Sequence, residues 1–284
     1  MTLDLLQKKA DLHIHTHFSD SLLSPKQVIE NVKTQGLDTI AITDHDSILG
    51  IDEAIDCGDK AHEIIPGVEL STIFQEIDVH ILGYYIDYRN EDLVRYLTDL
   101  QHFRENRARQ MIEKLAKYGI KLEYDLIRNI AQQAAVGRPH IATAMKEKGY
   151  VSTIDEAFYR FIGYHGPCYV PKKEIEIREA IQIIKEFGGI PVLAHPGVYE
   201  CEELIPKTIN DGIEGIEVWH PEHTRRCTER LLLIANEYHL LVTGGSDCHG
   251  GRKGGRVLIG QVCLNDCYVR ELKRRAGIIK NGEF

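Results

Sequence analysis

The chain has 284 residues, 43% of them hydrophobic and 27% charged, which is ordinary globular stock for one large α/β domain or two smaller ones. A formal net charge of -9 excludes a broadly basic nucleic-acid footprint, although it leaves room for a local basic patch. Seven cysteines without a CxxC pair, no run near the ~20 apolar residues of a membrane span and no leader pattern in "MTLDLLQKK" argue against a disulfide framework, a thiolate zinc module and a membrane protein; they predict a reduced, cytoplasmic setting.

In chain order, "DLHIH" reads as a strand, and "SPKQVIENVKTQG" as a helix capped by Ser24, started by Pro25 and stopped by Gly36. "LDTIAIT" is a second strand, "IDEAIDCGDKAHE" a helix, "IIPGVEL" a third strand and "VHILGYYI" a fourth. This alternation predicts parallel strands with helical crossovers. It breaks near residue 90. From Glu91 to about Gly163 the pattern is mostly helical, and "EDLVRYLTDLQHFRENRARQMIEKLAKYG" is one long helix or two. Arg104, Arg107 and Arg109 on it read by default as a solvated face. Alternation then resumes with "EIREAIQIIKEFGG" as helix, "IPVLAHP" and "GIEGIEVWH" as strands, "HTRRCTERLLLIANEYH" as helix and "LLVTGGSD" as strand.

Polar, metal-competent residues recur where the apolar strands end. They are His13, His15 and Asp20; Asp44, His45 and Asp46; Glu69; His80; His195; Glu217, His220 and His223; and Asp247 with His249. In a βα barrel the C-terminal strand ends converge on one rim. A single histidine of this kind is more often a satisfied core or rim residue. The whole series is not explained by packing, because burying many titratable groups together is costly unless cations compensate. A nitrogen and oxygen donor set without thiolate suits manganese, iron or catalytic zinc.

The motifs "DLHIHTHFSD", "TDHDS", "GVELS", "VHILGY", "AHPG" and "GSDCHG" resemble, in order, those of the PHP (polymerase and histidinol phosphatase) family. The resemblance implies an α/β fold, a distorted (β/α)7 barrel, with up to three metals at its C-terminal rim. It implies a barrel made of residues 1–90 and 168–284, and a mostly helical insertion, residues 91–167, that covers the site. One metal falls to His13, His15, Glu69 and Asp247; Glu69 bridges to a second held with His80 and His195; Asp20, His45 and His249 take a third. The cofactors expected are therefore two or three divalent ions, manganese first, with iron or zinc as alternatives. His17 matches no ligand position. Thr16 and Ser21 depart from the common Ser and Gly of the first motif.

The segments "VGRPHIATAMKEKG" and "FYRFIGYHGPCYVPK" resemble the insertion of a PHP subgroup that acts on nucleoside 3',5'-bisphosphates and short RNA ends. The resemblance implies that Arg138 and His140 approach the substrate phosphate and that His223 faces the site, where it could bind substrate and protonate a leaving oxygen. The expected activity is hydrolysis of a phosphomonoester on a small nucleotide-like substrate by a metal-activated water, with Glu69 in the catalytic set. Alternatives are a 5'-3' exoribonuclease on short RNA, a histidinol-phosphate phosphatase, and a non-catalytic metal-binding module. No duplex DNA or membrane partner is expected. "HGGRKGGR" after His249 is Gly-rich and basic and reads either as a phosphate contact or as a solvated loop.

Overall fold

The computed structural model describes residues 8–279, apart from 60, 132–133, 135, 172–174 and 252–254. The chain divides into two compact units: Met1–Val94 with Ile175–Phe284, and Arg95–Glu174.

The first unit is built on one eight-stranded sheet in the order β7-β6-β5-β4-β3-β2-β1-β8. Its strands are β1 (Lys9–Ile14), β2 (Thr39–Ile42), β3 (Glu63–Phe74), β4 (Ile77–Tyr84), β5 (Ile190–Leu193), β6 (Gly215–Trp219), β7 (Leu241–Gly244) and β8 (Leu264–Asn265). β2 and β5 are buried at every position, which is why they read as unbroken apolar runs. The ends of the sheet approach one another: Ile14 bridges Cys248 in parallel, and the His15 amide donates to the Cys248 carbonyl at 3.2 Å. The sheet is thereby a nearly closed barrel, and the residues just after β1 and β7 are neighbours.

The strands are not all parallel. β1–β2, β2–β3, β5–β6 and β6–β7 pair in parallel, but β3–β4 and β4–β5 are antiparallel, and β8 runs antiparallel to β1. The cause is a hairpin. β3 extends past the "GVEL" run to Phe74, and Gln75 and Glu76 turn the chain with φ of 47° and 67°. Two left-handed residues form the turn that matches strand twist, although neither is the usual Asn or Gly that signals it.

Helices α1 (Pro25–Gln35), α2 (Gly50–Cys57), α7 (Ile177–Glu186), α8 (Leu204–Asn210), α9 (Arg225–Glu237) and α10 (Asp266–Arg275) belong to this unit. α1 starts with a full capping box, in which Ser24 Oγ accepts the Gln27 amide and Gln27 Oε1 accepts the Ser24 amide. It stops at Gly36, at φ 65°. α2 ends at Cys57, earlier than its sequence suggests, because Gly58 is extended and its amide turns back to Ala54 O and Ile55 O. α8, α10 and β8 are too short or too polar to stand out in sequence.

The second unit is helical among its described residues. It holds α3 (Glu91–Lys117, which begins four residues before the boundary), α4 (Tyr124–Ala131), α5 (Arg138–Glu147), α6 (Ile154–Ala157) and a π-helical turn, Phe158–Ile162. α3 is one continuous helix. Leu115, Ile127, Ala142, Ala144 and Met145 are fully buried in the unit's own apolar core.

Candidate metal centre

Three groups of side chains each bring one donor atom per residue to within 4.8 Å of the others: His13, His15, Glu69 and Asp247; His15, Asp20, His45 and His249; and His45, Glu69 and His80. All belong to the first unit. β1 delivers His13 and its end delivers His15. The following loop delivers Asp20, the end of β2 His45, β3 Glu69, β4 His80, and the segment after β7 Asp247 and His249. His195, after β5, comes to Glu69 Oε1 through Nε2 at 3.1 Å. His17 joins none of the groups; its ring lies edge-on to Phe18.

Glu69 stands at the middle. Oε2 lies 3.3 Å from His13 Nε2, 3.2 Å from His15 Nε2 and 3.1 Å from His45 Nδ1, while Oε1 lies 3.0 Å from His80 Nδ1. Asp247 Oδ1 lies 3.4 Å from His13 Nε2 and 3.1 Å from His15 Nε2. Short distances would suggest hydrogen bonds, yet the buried atoms His13 Nε2, His15 Nε2, His45 Nδ1, His80 Nδ1, Glu69 Oε2 and Asp20 Oδ1 make none. Buried polar atoms are rarely left so. Within each group the donor atoms instead gather within 4.8 Å of one another. That is the geometry cations would satisfy, so this donor set fits a metal cluster.

For His13, His15 and His249 the opposite side of the ring explains the aim. Glu217 Oε1 accepts from His13 Nδ1 at 3.0 Å, and the Asp247 carbonyl accepts from His249 Nδ1 at 2.8 Å. A carbonyl or carboxylate can only accept, so each Nδ1 carries a proton and Nε2 is the nitrogen left for a cation. Ser19 Oγ gives its one hydrogen to Asp44 Oδ1 at 2.5 Å and thus receives from His15 Nδ1 at 3.4 Å. His220 is fixed the other way. Its Nδ1 accepts the Glu222 amide at 3.2 Å, which leaves Nε2–H to donate to Asp247 Oδ2 at 3.4 Å.

Asp44 and Asp46, which flank His45, are not in the donor groups. Asp44 accepts from the Thr16 amide (2.7 Å), the Thr16 hydroxyl (2.6 Å) and Ser19; Asp46 accepts the Ser71 amide at 2.8 Å. They hold the loops that carry the donors. Asp11 does the same for the barrel seam, taking the Ser246 and Gly260 amides at 2.9 and 3.0 Å. Burial pushes its carboxyl up to about 6 against those amides.

Burial opposes charge on His13, but Glu217, Glu69 and Asp247 outweigh it and raise the imidazole well above its ordinary value. His15, likewise opposed by burial, is raised to about 10 by Asp247 and Glu69. For His45 burial wins over Glu69 and Asp20, and pushes it down to about 3. Glu69 and Asp247 stay well below the carboxylate range although burial resists, because His45 and His13 face Glu69, and His13 and His15 face Asp247. The carboxylates are thus held ionised, as ligands must be.

Backbone strain gathers here as well. Asp46, His195 and Asp247 have φ of 47°, 29° and 46°, conformations that cost about 1–3 kcal/mol each for residues other than glycine. At Gly245 a side chain would strike the backbone of His13, its Cβ within 2.4 Å of the amide nitrogen, so only glycine lets the end of β7 lie against β1.

The other residues singled out by the motifs lie as follows. His223 Nδ1 donates to the Val218 carbonyl at 2.9 Å, and Nε2 accepts the Gly197 amide at 3.0 Å. With both nitrogens engaged, it has no proton for a leaving oxygen unless the Gly197 contact opens and Nε2 takes up a proton from solvent. Arg138 opens α5 in the second unit, with its guanidinium 5.6 Å from the ring centres of both Phe158 and Tyr169. His140 is buried, and its Nδ1 accepts the Gly137 amide at 3.1 Å to close the start of α5. Residues 252–254, the centre of the basic Gly-rich loop, lie outside the described residues. Glu217 and His220, like Asp44 and Asp46, are residues that motif reading left without a role. The signal was present: in "GIEVWH" a glutamate interrupts an otherwise apolar strand.

The PHP domain family matches residues 11–188. A 5'-3' exoribonuclease of Haemophilus influenzae is 34% identical over 250 residues, 86% of this chain and 91% of that protein. A 3',5'-nucleoside bisphosphate phosphatase of Chromobacterium violaceum is 32% identical over 255 residues, 87% of this chain and 89% of that one. A crystal structure from Bifidobacterium adolescentis, described as a metal-dependent phosphoesterase, superposes with a TM-score of 0.82 at 32% identity, over 94% of this chain and 96% of its own.

Proposed function

This chain belongs to the PHP family and is a metal-dependent phosphoesterase, and from that premise we propose that it removes a phosphomonoester from a small nucleotide-like substrate, such as a nucleoside 3',5'-bisphosphate or a mononucleotide. The observation that carries the reading is the convergence of buried, hydrogen-bond-free donor atoms on Glu69 and Asp247. The substrate class is supported by the nucleoside bisphosphate phosphatase relative.

His13, His15, Glu69 and Asp247 would hold one cation. His80 and His195 would hold a second through the shared Glu69. Asp20, His45 and His249, with His15 beside them, would hold a third. The absence of thiolate donors supports manganese, with iron or zinc as alternatives. Divalent ions in such a site acidify a water and neutralise phosphate charge. The chain's own part is to keep Nδ1 of His13, His15 and His249 protonated on the far side, to hold Glu69 and Asp247 ionised, and to brace the loops through Asp44, Asp46 and Asp11. Arg138 and His140 are assigned to the substrate phosphate, where the planar guanidinium suits a bidentate grip. His223 is the assigned donor to the leaving oxygen, on condition that its Gly197 bond opens and Nε2 is first protonated. All seven cysteines are free thiols, which supports a cytoplasmic setting.

A second reading, stepwise 5'-3' hydrolysis of short RNA, is favoured by the Haemophilus influenzae relative. One screen separates them: phosphate and nucleotide release with Mn²⁺ over nucleoside bisphosphates, mononucleotides, histidinol phosphate and 5'-phosphorylated RNA. Rapid phosphate release from the bisphosphates is expected. Mononucleotide release from RNA without it would transfer the assignment to the exoribonuclease, and no release from any substrate would overturn both.

A further inference from the structure

Glu217 belongs to none of the three donor groups. It lies in β6 and has no exposed surface. Its two oxygens do different work. Oε1 accepts from His13 Nδ1 at 3.0 Å, while Oε2 accepts the backbone amide of His195 at 2.7 Å. His13 is a donor in the Glu69–Asp247 group, whereas His195 approaches the other oxygen of Glu69. One buried carboxylate therefore touches both flanks of the centre without reaching its middle.

The two contacts demand a carboxylate. Each partner is an N–H donor, so both side-chain oxygens must accept. The first contact puts the His13 proton on Nδ1 and frees Nε2. The second holds the backbone of His195 where that residue adopts φ 29°, a conformation that non-glycine residues keep only when their surroundings impose it. An amide at this position could serve one partner but would turn an NH₂ toward the other. His220 and Ser19 each orient a single ligand residue, through Asp247 and His15 respectively. Glu217 is distinguished by spanning two strand ends.

We infer that Glu217 is a positioning residue that couples the two flanks of the metal centre, presenting Nε2 of His13 on one side and seating His195 on the other. The inference rests on the metal-dependent reading above and deepens it. A plain structural anchor would hold β6 against β1 and β5 and leave metal affinity alone. A positioning residue would change metal affinity in a protein that still folds.

The test uses wild type, Glu217→Gln and Glu217→Asp, each stripped with chelator and titrated with Mn²⁺ by calorimetry. It adds imidazole ¹⁵N spectra of the metal-free forms and steady-state kinetics. Glu217→Gln should lose about 10–100-fold in Mn²⁺ affinity, the range known for partners behind metal-ligating histidines, and the His13 Nδ1–H signal should shift. Its kcat should fall with little change in KM. Glu217→Asp keeps both acceptors on a shorter arm and should recover part of the affinity. Wild-type affinity in Glu217→Gln would overturn the inference and leave the phosphoesterase reading standing. The inference is equally overturned if Glu217→Gln does not fold and Glu217→Asp binds Mn²⁺ like wild type with an unshifted His13 signal. A wild-type protein that takes up no Mn²⁺, Fe²⁺ or Zn²⁺ would overturn both.

Discussion

The two units bury different chemistry. The barrel unit encloses Asp11, His13, His15, Asp44, Glu69 and Glu217 with no exposed surface, next to a core of Leu12, Ala41, Leu82 and Val192. In the helical unit His140 is the one buried polar side chain among the described residues, and the rest of the core is apolar. An apolar core needs no further justification. A buried cluster of imidazoles and carboxylates does, because each group gives up hydration that only partners or cations restore. The contrast teaches where chemistry resides: the barrel unit holds a reactive centre, and the helical unit holds a scaffold whose single buried exception stands beside Arg138 at the start of α5.

The sharpest way to break this comparison is Glu69→Gln. It keeps the side chain's size and removes the charge that faces five histidines. At least about a 10²-fold loss of turnover is expected, with weakened metal binding. In the same assay, chelator should abolish activity and lower the Tm of the wild type, since ions bound only by the folded chain stabilise it. Normal turnover at full metal content would reduce Glu69 to a rim residue and erase the contrast.

Leu115→Ala probes the other side. Leu115 is fully buried in the helical core, and its truncation should cost about 2–5 kcal/mol in denaturant unfolding. Metal content per folded chain should not change. A loss of bound metal in the folded variant would show that the two units are not energetically separate.

Arg138→Ala should lower kcat/KM by roughly 10²-fold, or ~2.7 kcal/mol, with Tm and metal content hardly altered. Arg138→Lys should recover only part, because a point charge does not reproduce the fork. Full activity in both variants would reduce Arg138 to a scaffold residue beside Phe158 and Tyr169.

The smallest effect belongs to Ser24→Ala. Losing the N-cap of α1 should cost about 1 kcal/mol of stability and leave kinetics untouched. A kinetic defect there would mean that the centre feels distant helix ends, which would blur the line between site and scaffold.

Much of this arrangement is local and was therefore legible in sequence. Ser24, Pro25 and Gly36 set the limits of α1 within a few residues of themselves. An apolar run followed by His, Asp or Glu places a donor at a strand end whatever the strand's neighbours are. The mostly helical composition between residues 91 and 163 likewise needs no tertiary information. The hairpin of β3 and β4 was not legible, because Gln75 and Glu76 lack the Asn or Gly that announces a left-handed turn. Parallel crossovers were expected there, and the observed antiparallel pairs come from that turn.

By itself, then, the sequence determined which side chains can be donors and which strand ends carry them, because those properties follow from residue type and near neighbours. Only the tertiary structure decided how the donors group, which nitrogen of each imidazole faces inward, and why Asp44, Asp46 and Glu217 face away from the donor groups. These depend on partners far apart in the chain, such as His13 and Glu217 at 204 residues. A hydrogen bond across such a span exists only once barrel closure has brought β1 and β6 to the same interior, and no local pattern encodes it.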